Sequence, residues 1–302
     1  MPLSAVAAGA LCFITMISCV PADSFISQTG VERDVVAART RNGKCNYDID
    51  EKALIHQGYY KKVFEDNFNT NLHNWKIWTG GAYNQELQYY QSSNLKVQNG
   101  KLVITARKET VKGATVPSNP QLKTFNYTSG RIESKTYFTP TKSFSKVRIS
   151  ARIKLPSGYG MWPAFWTYND PWPTKGEIDI IEAQGQYPFQ YTTNYFYGSQ
   201  PNIPQTDATK ITSLITSNVS LTKCYHVYEV IWTKQSLIYL LDGKIINKKS
   251  ASTPANKYIP SLFGKLQRIT LNVAVGGNYF VNLDPSKIHP DAMYVDWIKV
   301  FT

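Results

Sequence analysis

Runs of β-branched and aromatic residues recur along most of this chain: KLVITARK (101–108), KVRISARIKL (146–155), YHVYEVIWT (225–233), SLIYLLDGKII (236–246), RITLNVAVGG (268–277) and MYVDWIKVF (293–301). Each is short, and Gly, Pro, Asn and Ser separate them. Such runs fit a pleated, half-buried surface, and the residues between them interrupt longer elements. No long segment sustains the 3.6-residue spacing of an amphipathic helix. Leu241-Asp242-Gly243-Lys244 places an Asp-Gly pair where a two-residue hairpin loop is favoured. The fold class that follows is all-β, an antiparallel β-sandwich. A chain of 302 residues can bury one large core of this kind, and neither a repeat nor a second domain is visible.

The two ends of the chain read differently. Residues 1–22 carry no charged side chain, are mostly apolar from Ala5 to Val20, and end in small residues and Pro21. They read as a secretory signal peptide, which makes the expected location extracellular. Residues 23–54 are polar and mixed in charge, as in a linker, a pro-segment or a loosely docked arm, and residues 55–302 form the single folded domain. Removing the signal discards Cys12 and Cys19 and leaves Cys45 and Cys224, a candidate disulfide in an oxidising compartment. Asn126-Tyr127-Thr128 and Asn218-Val219-Ser220 match the glycosylation tripeptide, which recurs often by chance. The formal charge of +12 fits nucleic acid, an anionic polysaccharide or a basic soluble surface, and the scatter of Lys and Arg without a basic block favours the last. No nucleic-acid partner and no membrane span is expected. The four histidines lack metal-ligand spacing, and neither a nucleophile elbow nor a phosphate loop appears.

The chemistry concentrates in GEIDIIEAQG (176–185), where Glu177, Asp179 and Glu182 fall within six positions. On a regular strand, Glu177 and Asp179 share one face and Glu182 points to the other, among the isoleucines. Burying an unpaired carboxylate there costs several kcal/mol, roughly 2–7 even for a neutral polar group. One extra residue near Ile180-Ile181, a β-bulge, brings Glu182 back beside the other two. Crowded carboxylates raise one another's pKa, so one holds a proton while another stays ionised, as glycosidic cleavage requires. An acidic surface strand or a Ca²⁺ site fits the spacing equally well. The neighbours Met161-Trp162-Pro163-Ala164-Phe165-Trp166 and Trp172-Pro173 favour a sugar site, since indole faces stack on sugar rings. Trp232 and Trp297 read as core.

GYGMWPAFW followed by WPTKGEIDIIE resembles the catalytic signature of the laminarinase-like branch of family 16 glycoside hydrolases. The resemblance continues in order through EDNFN, NQELQYYQ, VQNGKLVITARK, YTSGRIESK, ARIKLPSGYGMWPAFW, YHVYEVIWT, DGK, LNVAVGGN and MYVDWIKVF, covering roughly residues 60–302. It implies a jelly-roll sandwich of two antiparallel sheets with a glycan cleft, no cofactor for catalysis, and a retaining double displacement. By this resemblance Glu177 is the nucleophile, Glu182 the general acid and base, and Asp179 the residue that positions them. Four effective strand steps separate the outer Cα atoms by roughly 13 Å, and inward-leaning side chains can approach the roughly 5–5.5 Å of a retaining pair.

The resemblance also implies substrate contacts for Asn84, Arg131, Trp162, Trp172 and Asn194, and period 2 adds Trp166 on the face of Trp162. Glu65, Gly100 and Asp296 match a structural Ca²⁺ site found in relatives. Two departures stand out. Tyr191-Thr192-Thr193-Asn194-Tyr195-Phe196 lacks the His usual after a laminarinase catalytic strand and is similar to the run in lichenases and cell-wall transglycosylases. Tyr279-Phe280 stands where a Trp is typical. The implied activity is endo-hydrolysis of β-1,3-glucan by a monomer, extending to mixed-linkage β-1,3-1,4-glucan. The alternatives are a transglycosylase or a galactan hydrolase of the agarase or carrageenase type and, without catalysis, a glucan-recognition protein.

Overall fold

The computed structural model describes residues 47–59 and 61–302. The signal-like residues 1–22, the linker up to residue 46 and Cys45 lie outside them. Among the described residues no helix is long and apolar enough to cross a membrane.

Two antiparallel sheets pack face to face, as expected of an antiparallel sandwich. One runs in the order β13 (Ser213–Thr216), β12 (Gln190–Phe196), β11 (Glu177–Glu182), β10 (Met161–Tyr168), β17 (Gln267–Val275), β8 (Arg131–Phe138), β2 (Trp75–Ile77). The other runs β16 (Lys244–Ser250), β15 (Ser236–Leu241), β14 (His226–Thr233), β9 (Lys146–Lys154), β18 (Ala292–Phe301), β5 (Lys101–Thr105), β4 (Leu95–Gln98), with β1 (Lys62–Asp66) also paired to β18. A third, small sheet joins β3 (Gln88–Tyr90) to the long hairpin of β6 (Arg107–Val116) and β7 (Asn119–Ser129). The Asp242-Gly243 hairpin forms between β15 and β16 where the sequence places it, with both residues at positive φ (50° and 73°).

Period-2 alternation explains the core. On β17, Ile269, Leu271, Val273 and Val275 are fully buried against the facing sheet. The alternate residues Arg268, Thr270, Asn272 and Ala274 point to the opposite face, yet they too are buried. Aromatic side chains and loops cover that second face, which hereafter is the site face. Trp162, Ala274 and Phe280 make a small apolar cluster there, separate from the main core. Trp232 and Trp297 are core residues, as read from the sequence.

The far face of the second sheet is covered by the segment that enters the domain. Asp50 caps α1 (Glu51–His56) by accepting from the Lys52 and Ala53 amides. Leu54 packs with Tyr59 and Phe301, and the Tyr47 carbonyl accepts from Arg152 Nε. The helix therefore crosses the expected 54/55 boundary, and the docked segment reaches back at least to Tyr47. Its cover lets β14 and β9 bury the Glu229–Arg148 pair at 2.7 Å.

Candidate active site

The catalytic-type carboxylates sit on β11, entered through Gly176 at φ +82°, with a Cβ there only 2.3 Å from Leu262 Cδ2. Only glycine combines that backbone with that space. Against β10 the register passes from Trp166↔Asp179 to Phe165↔Ile181, skipping Ile180. Against β12 it passes from Asp179↔Asn194 to Glu182↔Thr192, so two residues of β11 oppose Thr193. This is the expected bulge, and its effect is visible in burial. Ile178, Ile180 and Ile181 all enter the main core, while Glu177 and Glu182 are partly exposed on the site face.

Each outer carboxylate is held by an indole. Trp172 Nε1 donates to Glu177 Oε2 at 2.8 Å, and Trp162 Nε1 donates to Glu182 Oε1 at 3.1 Å. Trp162 is 9% exposed and stacks on Tyr279 at 4.7 Å between ring centroids. It is thus mostly covered, and what it gives the site directly is its N–H. Trp166 Nε1 donates to Asn272 Oδ1, and its ring stacks on Tyr168.

The electrostatics couple the carboxylates, with Glu177 pushed up to about 8 and Glu182 to about 7, so their protons belong to the cluster. Burial raises the pKa of all three carboxylates, and their mutual repulsion raises Glu177 and Asp179 further. The hydrogen bond between Glu177 and Asp179 lowers the former and raises the latter, so the pair's proton resides on Asp179. Trp172 N–H and the charge of Arg131 also favour anionic Glu177. Glu182 has only the Trp162 N–H in that direction, and the nearby charge of Glu86 opposes its ionisation. A buried amine, Lys249 Nζ, donates to the Ile211 carbonyl at 2.5 Å and to Ser213 Oγ at 2.8 Å. Burial pushes its pKa down to about 7, against the pull of the Asp179 charge.

The remaining expected residues divide. Arg131 lies beneath the site face between the rings of Trp78 (4.0 Å) and Trp166 (4.9 Å). It donates to Glu133 Oε1 at 2.7 Å and to Tyr168 Oη at 2.9 Å. Burial alone would raise Glu133, but Arg131 and Arg268 outweigh it and hold that carboxylate ionised. Arg131 therefore acts as buried framework and as a charge near Glu177. Asn84 is exposed at φ +58° on a loop, and its side chain bonds Glu86. Asn194 lies opposite Asp179, but its amide is used internally, donating to Thr212 Oγ1 and accepting from the Tyr195 amide. In this structure the Asn194 amide is engaged internally at both ends.

Of Glu65, Gly100 and Asp296, matched to a Ca²⁺ site in the sequence, the two carboxylates are paired with cationic side chains in this structure. Asp296 pairs with Arg152 at 2.5 Å and Lys101 at 3.6 Å, while Glu65 pairs with Lys62 at 2.7 Å and Lys299 at 3.7 Å. Cationic side chains already neutralise both carboxylates. Among the described residues no group of three or more His, Cys, Asp or Glu is arranged to hold a metal ion. Cys224 is disulfide-bonded, and Cys45, its expected partner, lies outside the described residues.

Sequence reading missed Glu86, a buried carboxylate beside the site. It accepts from Gln88 Nε2 at 2.7 Å and Tyr90 Oη at 3.2 Å. Its signal was the alternation Glu86, Gln88, Tyr90 inside NQELQYYQ, polar groups on one face entering β3. Lys249 gave no signal, because a lysine on an edge hairpin reads as solvated.

The pattern of glycosyl hydrolases family 16 matches residues 82–299, which include all three carboxylates. The chain belongs to glycosyl hydrolase family 16. This family 16 chain is 30% identical over 264 residues to glucan endo-1,3-beta-glucosidase A1 of Niallia circulans. The match covers 79% of this chain but only 37% of that protein, little more than a third of its length. Among solved structures, the endo-beta-1,3-glucanase of Pyrococcus furiosus has a TM-score of 0.65 at 30% identity, covering 80% of this chain and 94% of that one. The laminarinase catalytic domain of Thermotoga maritima gives 0.66 at 27%, covering 80% and 98%. The sandwich is therefore the family 16 jelly roll.

Proposed function

We propose that this protein is a secreted, endo-acting, retaining glycoside hydrolase that cleaves β-1,3-glucan. The observation that carries the reading is the bulged strand β11. It turns three carboxylates to one face and sets an indole N–H on each of the two that would react. The similar enzymes from Niallia circulans and Pyrococcus furiosus, both named as endo-1,3-β-glucan hydrolases, support the substrate class. The signal-like residues 1–22 support secretion.

In this reading Glu177 attacks the anomeric carbon. As that bond forms, the glycosidic bond breaks and its electron pair goes to the leaving oxygen, which takes the proton of Glu182. The Trp172 N–H and the Asp179 hydroxyl favour the Glu177 anion, the form that attacks, against the burial and repulsion that raise its pKa. Glu182, now ionised, then takes a proton from water as the water oxygen bonds to the same carbon and Glu177 departs. Loss of the catalytic carboxylates would have favoured a glucan-recognition protein, and all three are present.

The test is a panel of laminarin, barley β-glucan, xyloglucan, agarose and κ-carrageenan, with products sized over time. Short laminari-oligosaccharides are expected early, with β-configured reducing ends by NMR before mutarotation, and Glu177→Gln is expected to remove turnover. Breakdown of a galactan without laminarin cleavage would overturn the substrate class. Products longer than the starting oligosaccharide would assign transglycosylation.

A further inference from the structure

The bulge turns Glu182 toward the site, and the loop that follows β17 grips the residue it turns. Tyr279 Oη donates to the Glu182 carbonyl at 3.0 Å and lies 3.0 Å from Thr192 Oγ1, whose own hydroxyl lies 3.4 Å from the same carbonyl. The Tyr279 ring stacks on Trp162 with a 20° tilt, and Trp162 in turn donates to Glu182 Oε1. One side chain thus touches both supports of Glu182, its backbone and the indole bound to its carboxyl.

The carrier of Tyr279 is fixed on three sides. Gly276 N donates to the Gly160 carbonyl at 2.9 Å, Asn278 N to the Asn84 carbonyl at 2.8 Å, and Gln184 Nε2 to the Tyr279 carbonyl at 2.8 Å. Gly277, at φ +94°, runs so close to the 84–86 loop that a Cβ would lie 2.9 Å from the Asn84 carbonyl oxygen. A ring on such a carrier has little freedom to drift, so its contacts transmit position.

We propose that Tyr279 is a positioning residue for the acid/base. Its hydroxyl pins the end of the bulged strand, and its ring fixes the indole that orients the Glu182 carboxyl. The proposal rests on the reading of Glu182 as acid/base. A residue that merely fills the loop would slow every substrate alike or only lower stability. A residue that aims a proton donor slows those reactions whose leaving group needs the proton.

The experiment compares parent, Tyr279→Phe and Tyr279→Ala on laminarin and on a 2,4-dinitrophenyl β-laminaribioside, with hydrogen–deuterium exchange of the segment 180–187. Tyr279→Phe keeps the stack and loses the hydroxyl's contacts to the Glu182 carbonyl and to Thr192 Oγ1. Its kcat on laminarin is expected to fall about tenfold with KM unchanged. Tyr279→Ala loses stack and bond and is expected to fall a further tenfold or more. The bond-cleavage step on the activated glycoside should stay within about twofold for both variants, because its phenolate leaves unprotonated. Exchange at 180–187 should quicken in both while that of β17 is unchanged. Equal losses on both substrates, or parental rates and exchange in Tyr279→Phe, would overturn the proposal. Exchange is read without turnover. Faster exchange in variants of a parent that cleaves no glucan would support the clasp and refute the hydrolase reading instead.

Discussion

Glu86 shows how much a single charge decides at this site. Its carboxylate is buried, receives Gln88 and Tyr90, is bonded by Asn84, and feels Arg131 across the site face. Burial pushes its own pKa up. When it ionises, its charge opposes ionisation of Glu182, which also faces Trp162. Glu177 and Asp179 share its strand. A neighbouring negative charge raises a carboxyl's pKa, so removing it lowers that pKa. Glu86→Gln is therefore expected to move the basic limb of the kcat/KM profile to lower pH, because Glu182 then loses its proton sooner. The limb set by Glu177 and Asp179 is expected to move less. A pH–rate series on laminarin checks both, and a basic limb that stays or moves up would refute the coupling.

At the scale of the element, the bulge in β11 is where sequence and structure agree most closely. It was legible because two opposed demands met in six residues. Isoleucines must face the core, and carboxylates must not. The strands were legible for the same reason, since alternation and turn residues act within a few positions. Glu86, Tyr279 and Lys249 were not, because their roles depend on which loops and sheets meet across the fold. The internal bonding of Asn194 was not legible either, because position on the site face does not reveal that Thr212 and the Tyr195 amide occupy both ends of its amide. The bulge yields its own prediction. Deleting Ile180 leaves Glu177, Asp179 and Glu182 at strict period 2 on one face, so the three still converge. Activity is expected to survive with a loss of up to about 10²-fold from altered placement. Inserting Ala after Ile181 also restores strict period 2, but it turns Ile181 out of the core and sets Glu182 two strand steps of about 3.3 Å farther from Glu177, and is expected to abolish turnover. Both variants are checked on laminarin, with circular dichroism confirming the sheet. Equal activity in the two would mean that the spacing of Glu177 and Glu182 along β11 does not set turnover.

At the scale of the whole molecule, the carboxylate cluster opposes the stability of the sandwich that carries it. Burial and repulsion push Glu177 up to about 8 and Glu182 up to about 7, from ordinary values near 4.5. The two lie close together, so the protons belong to the cluster rather than to either residue. Between pH 4.5 and about 8 the folded protein holds protons that the unfolded chain has released. Stability falls with pH wherever the folded state binds more protons, so this contribution declines across that window and levels off above it. A glutamine does not titrate and escapes the decline. Glu182→Gln is therefore expected to melt at a higher temperature than the parent at pH 8, with a gain that shrinks as pH is lowered and disappears near pH 4.5. The amide also removes the repulsion felt by Glu177 and Asp179, which adds to the gain at high pH. Lys249 pulls the other way. Its folded-state pKa of about 7 lies below the ordinary amine value, so its own penalty eases as pH rises above neutrality. Because Lys249 is present in both proteins, it largely cancels from their difference. Calorimetry of parent and Glu182→Gln at half-unit steps from pH 4 to 8 measures that difference. A gap in melting temperature that is constant with pH would show that the carboxylates titrate as ordinary surface groups.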